Sequence, residues 1–200
     1  MNDASDGTNL PGGALNAPRS QPSSGPTAPG GCRITSTDDD AHPWQECRTQ
    51  RNADGSISSV WERWLAFRQE PKYLSLYARW DPGMIVRRHG HRSPHVLLVL
   101  QGELRIAGVA YGPGTHVELP DGEEFGPFEA GPDGCELFEV MMGDPRSWTS
   151  GSEATDELLR ARGVTPLPDP PIALPAWLRD TRAVGADEDW APKAPEGGQG

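Results

Sequence analysis

Residues 83–102 read GMIVRRHGHRSPHVLLVLQG, and the fold of the chain is decided in this stretch. Its aliphatic runs are bounded by Gly83, by the Ser93-Pro94 pair and by Gly102, a pattern of short strands joined by a bend. On a strand, side chains at i and i+2 share a face and stand about 6.6 Å apart along it. His89 and His91 therefore point the same way, close enough for two imidazoles to converge on one cation. The bend at Ser93-Pro94 reverses the chain and returns His95 to the same spot. Three neutral imidazoles suit zinc, iron, copper or nickel and leave coordination positions open for water or substrate. These are three of only five histidines in the chain. The alternative is a histidine trio that lines the core or the surface and binds no metal.

Gly83, His89, His91 and Gly102, with the hydrophobic run 96–100 between the last two, resemble the first conserved motif of the cupin superfamily. That motif is a glycine, five residues, His-x-His, three or four residues, a glutamate, six residues and a glycine. His95 stands where the glutamate is expected, which changes the ligand set and keeps a residue able to ligate. Gly114, Pro120 and Gly122 match the second cupin motif at full spacing, and Phe125 occupies the position of its histidine. The resemblance covers about half the chain. It implies an all-β, double-stranded β-helix (jelly-roll) barrel that holds one divalent metal through His89, His91 and His95. Iron or zinc is the first expectation, with nickel, copper or manganese as alternatives. It also implies a homodimer. Because cupins include dioxygenases, isomerases, lyases, epimerases, regulators and storage proteins, no single reaction follows.

Outward from the motif, the chain continues as short strands punctuated by turn signals every eight to twelve residues. The runs 61–67, 73–80, 84–91, 95–100, 103–106, 109–111, 115–119 and 135–141 read as strands, with turns at Gln101-Gly102, Ala107-Gly108 and residues 131–134. Residues 96–100 are apolar on both faces, with His95, Leu97 and Val99 on one side and Val96, Leu98 and Leu100 on the other. Such a strand needs cover on both sides, from a second subunit or from the chain's own later segments. Past the barrel, Ser150-Gly151-Ser152-Glu153 carries a capping-box pattern ahead of Leu158 and Leu159, and Gly163 reads as the stop of a short helix. Residues 166–175 are too rich in proline for a central strand, so Ile172, Leu174, Trp177 and Leu178 read as a strap on the barrel. The 24 glycines and 21 prolines gather at the two ends. The expected organisation is a disordered arm over 1–45, a barrel over 46–148, helix and strap over 149–182, and an acidic tail over 183–200.

A net charge of −11 argues against nucleic-acid phosphates and anionic membrane surfaces as partners. Cys32, Cys47 and Cys135 form no CxxC pair, so neither a disulfide framework nor a cysteine metal site is suggested. With no apolar run of membrane length and no basic, apolar leader at Met1, the chain reads as a cytoplasmic protein with a small-molecule ligand. Arg87, two residues before His89, shares its face and could hold an anionic group, or could lay its stem on apolar neighbours at the barrel mouth. Phe125 could wall a substrate pocket or fill the core. No residue is singled out as a general acid or base. The barrel is therefore either a metal-dependent enzyme, a dioxygenase among the choices, or a metal-free small-ligand binding or sensing module. Since the arm is read as unstructured, deletion of residues 1–40 is expected to leave the melting temperature nearly unchanged. A large drop in a thermal melt contradicts that reading.

Overall fold

The computed structural model describes residues 32–37 and 40–173. The expectations for the remaining arm residues, for Leu174, Trp177 and Leu178, and for the acidic tail lie outside the described residues. In chain order the elements are β1 (Gln45–Arg51), β2 (Ile57–Gln69), β3 (Lys72–Trp80), β4 (Ile85–Val86), β5 (His89–Arg92), β6 (His95–Ile106), β7 (Val109–Tyr111), β8 (His116–Leu119), β9 (Glu124–Phe125), β10 (Phe128–Met141), β11 (Asp144–Trp148), α1 (Glu153–Arg162) and β12 (Thr165–Pro166). One nine-stranded sheet runs β12-β1-β2-β3-β10-β6-β7, with β4 beside β10 and β8 beside β6. A three-stranded sheet runs β11-β5-β9, and the pairings in both sheets are antiparallel. Phe125 of the small sheet packs on the core of the large one, so the two sheets enclose a single interior. Together they form an all-β barrel of antiparallel strands, as expected.

The core follows from period-2 alternation. On β3, Leu74, Leu76, Ala78 and Trp80 are buried between half-buried Tyr73, Ser75 and Tyr77. On β6, His95, Leu97 and Val99 are buried while Val96, Leu98 and Leu100 remain half-exposed on the outer face. Leu137 of β10 lies opposite Val99, and both are almost completely enclosed.

Four local expectations change. Residues 84–91 do not form one strand: the chain breaks at Arg87-Arg88, so β4 pairs with the large sheet and β5 with the small one. Gln101-Gly102 is not a turn. Gly102 bends a continuous β6 at φ +70°, where an added Cβ would meet the Gly134 carbonyl at 2.1 Å. Residues 131–134 are likewise an irregularity inside β10, where the ladder skips from Ala130 to Cys135. The helix is capped by Ser152, which accepts from the Thr155 N–H at 3.3 Å, while Ser150 is engaged with Glu124. Gly163 stops it in the left-handed region, as expected.

Two strands carry no apolar alternation and were not expected. β1 buries Gln50, whose amide takes part in bonds to Ile85 N, Gly83 O and Asn52 Oδ1 at 2.9, 2.9 and 2.8 Å. β11 contains Pro145 and sits at the edge of the small sheet. The segment after the helix contributes β12, a two-residue strand on β1. The helix itself braces the sheet crossing: Thr155 Oγ1 accepts from Arg88 N at 3.2 Å, and Arg162 forms a two-point pair with Glu129 at 2.6 and 3.1 Å. Among the described residues no helix is long and apolar enough to cross a membrane.

β5 is pinned from both sides at Gly90. A Cβ there would lie 2.5 Å from the Glu123 carbonyl and 2.8 Å from the Trp148 ring. Since one obstacle is backbone, Gly90→Ala has to displace β9 or β11. It is expected to lower stability by roughly 1–3 kcal/mol, the usual cost of overpacking, read as a fall in melting temperature. An unchanged melt would show that the small sheet is looser than this packing implies.

Candidate metal and ligand site in the barrel

His89 and His91 occupy alternate positions of β5, and His95 opens β6 after the Ser93-Pro94 bend. His91 stands between the other two rings, within ring-contact distance of each. His89 and His91 ring centroids are 5.0 Å apart at 90°, and His91 and His95 are 5.4 Å apart at 78°. For imidazoles about 2.1 Å from a shared ion, ring centroids fall about 4.5–5.3 Å apart. The His89–His91 pair falls inside this range, and the His91–His95 pair lies just beyond it. Among the described residues, however, no group of three or more His, Cys, Asp or Glu side chains has its donors already gathered to hold one.

Each imidazole has one nitrogen engaged. Nδ1 of His89 lies 2.8 Å from the Arg87 carbonyl, and Nδ1 of His91 lies 3.2 Å from the Arg146 carbonyl. A carbonyl only accepts, so Nδ1 donates in both, and Nε2 keeps its lone pair. Burial among His91, Phe125 and Phe128 pushes His89 down to about 3, and burial with the neighbouring His95 pushes His91 down to about 4. Both rings are neutral near pH 7, the form a ligand needs. His95 and Glu139 are both buried, with His95 Nε2 2.8 Å from Glu139 Oε2.

Phe125 is brought to the centre of this group. It pairs with His89 across β5 and β9, and its ring lies 5.0, 5.8 and 6.2 Å from His89, His91 and His95. It also stacks on Phe128 at 6.0 Å. The position that the motif gives to a ligand is thus an aromatic wall. Arg87 is placed differently: it sits in the break between β4 and β5, and its side chain reaches out toward Asp169 at 3.9 Å. Its carbonyl, not its guanidinium, touches the histidine group. Arg88 and Arg92 are exposed, as their alternation implies, and so is His116. Glu124 points away from the rings, its carboxylate accepting from Ser150 N and Oγ at 2.6 Å each.

Sequence reasoning missed two inward-facing acids, Glu139, which is buried, and Glu62, which is half-buried. Glu139 shares its face with Leu137 and Met141, so it stands inside the barrel. Glu62 shares its face with Val60 and Trp64; burial raises its carboxyl, and Trp64 Nε1 donates to it at 2.7 Å. The available signal was the alternation itself, which puts one acidic residue at an inward position of each strand. Cys135 is a buried free thiol that desolvation pushes up to about 12, so it behaves as core.

No protein-family model matches the chain, and no curated protein matches it. Among solved structures, it is similar to KdgF from Halomonas sp. (17% identity, TM-score 0.41, covering 57% of this chain and 96% of that one). It is also similar to the polyketide cyclase RemF from Streptomyces resistomycificus (20%, TM-score 0.44, 62% and 88%) and to a cupin-2 domain protein from Rhodospirillum rubrum (18%, TM-score 0.44, 64% and 88%). These are likenesses of fold at low identity, and no activity passes to this chain through them.

The depressed histidines set a pH dependence for the metal-free chain. Their folded values lie below the unfolded value of 6.5, so the unfolded chain binds more protons. Stability is then full above pH 6.5 and falls on acidification toward about 4. In chelator-treated protein the melting temperature is expected to fall between about pH 6.5 and 5, above the carboxylate range. A double variant, His89→Gln with His91→Gln, should show a flatter slope there; equal slopes would contradict the assignment.

Proposed function

We propose that this chain is a cupin-type protein that binds one divalent transition metal, iron or zinc, through His89, His91 and His95, and binds or acts on a small molecule in the barrel. The observation that carries this reading is the arrangement of the three rings at 5.0 and 5.4 Å, each with one nitrogen tied and the other free. Hydrogen bonding the non-ligating nitrogen is what metal-binding histidines need, because it fixes the tautomer and the ring plane. When bound, such an ion supplies Lewis acidity, and iron supplies redox chemistry with dioxygen as well. The chain's own residues define the rest. Phe125 and Phe128 form an apolar wall that excludes water beside the rings and favours a flat or aliphatic ligand portion. Glu62, whose carboxyl burial raises, is the acid whose proton is favoured beside the barrel interior. Dioxygenase, isomerase and lyase chemistry are the enzyme classes open to such a site. The half-exposed outer face of Val96, Leu98, Phe138 and Val140 supports a homodimer.

A second reading is favoured by Phe125 alone. Its ring fills the position of the motif's missing ligand, which suits a metal-free barrel that binds or senses a small molecule. Metal analysis of untagged protein separates the two. Near one equivalent of iron, zinc, nickel or copper per chain, lost in His89→Ala, is the expected result. Wild-type protein that is empty and takes up none of these ions when they are added would sink the metal reading and leave the binding module.

A further inference from the structure

The three histidines are not held alike. His89 and His91 present Nδ1 to backbone carbonyls at 2.8 and 3.2 Å. His95 is turned the other way: its Nε2 meets the carboxylate of Glu139 at 2.8 Å, and its Nδ1 is buried without a hydrogen-bond partner among the described residues. An unpartnered buried imidazole nitrogen is unfavourable unless something occupies it. The geometry of the sheet explains the contact. Glu139 lies opposite Leu97 in the β6–β10 ladder, and His95 lies opposite Met141, so Glu139 and His95 are diagonal neighbours on the inward face. A long acidic side chain spans that diagonal. Both residues are nearly sealed, at 8% and 3% exposure, so the carboxylate has little solvent to turn toward.

From this juxtaposition we infer that Glu139 holds His95 as the Nε2-protonated tautomer, and that Nδ1 of His95, unlike Nε2 of His89 and His91, is the nitrogen offered to a cation in the barrel. Glu139 is a positioning residue here. Its Oε2 is committed to the imidazole N–H, and it acts on the ion only through His95. His95 stands where the motif expects a glutamate, and Glu139 restores a carboxylate one step further back, on another strand. The offer of Nδ1 rests on the metal reading of the site; the tautomer assignment does not.

The test is long-range proton–nitrogen NMR of the full 15N-labelled chain, first metal-free and then with zinc. Metal-free wild-type protein should show His95 protonated at Nε2, and His89 and His91 protonated at Nδ1. Zinc should then move the His95 Nδ1 resonance and the His89 and His91 Nε2 resonances. Glu139→Gln should give His95 a mixture of tautomers and weaken zinc binding about 10- to 100-fold, the usual loss when such a partner is removed. The wild-type spectrum decides the tautomer even if the variant folds poorly. His95 protonated at Nδ1, or a folded Glu139→Gln protein with unchanged tautomer and zinc affinity within about twofold of wild type, overturns the role of Glu139. Tautomers as expected with no imidazole resonance moved by zinc support the Glu139 assignment, while the metal reading and the ligand role of Nδ1 fall.

Discussion

The pairing of β6 with β10 is the constraint on which the interior depends. These strands, of 12 and 14 residues, lie antiparallel with Val99 opposite Leu137, Leu97 opposite Glu139 and His95 opposite Met141. A shift of one residue would turn every one of these side chains to the outer face. The irregularity at Gly102 and residues 131–134 shifts the register of this ladder, and a second shift follows between Glu136 and Leu137. Below them the ladder is apolar, and at the far end it becomes polar. That gradient places the histidine group at one end of a dry core.

Burying polar groups in such a core is costly unless each finds a partner. The barrel meets this requirement largely with backbone. Carbonyls of Arg87 and Arg146 serve two imidazoles, and the Gln50 amide serves the chain around Gly83 and Ile85. The Arg146 carbonyl comes from β11, the edge strand of the small sheet. The orientation of His91 is therefore linked to the packing of Trp148 on Gly90, since both belong to the same β5–β11 contact.

Much of this was legible in residues 83–102 and the motif around Gly114, Pro120 and Gly122. The inward set of His95, Leu97 and Val99 follows from strand periodicity, and the place of Phe125 beside the histidines was implied by the motif resemblance. What escaped reading has physical causes. β1 buries a glutamine and β11 contains a proline, so neither shows an apolar alternation. Gly102 reads as a turn because a positive φ serves a turn and a strand bend equally. Glu139 drew no reading, because its partner, His95, is 44 residues away in the chain. Arg87 shares a face with His89 only on an unbroken strand, and the crossing between sheets removes that premise.

The two margins of the large sheet are worth following to their consequence. At one margin β12 is a two-residue strand containing Pro166, a residue with no N–H to offer. At the other, β7 spans only Val109–Tyr111. Neither presents a long row of free amides to a passing chain, the arrangement that guards exposed sheets against edge-to-edge growth. Molecules of this protein are thereby steered away from open-ended stacking into fibres.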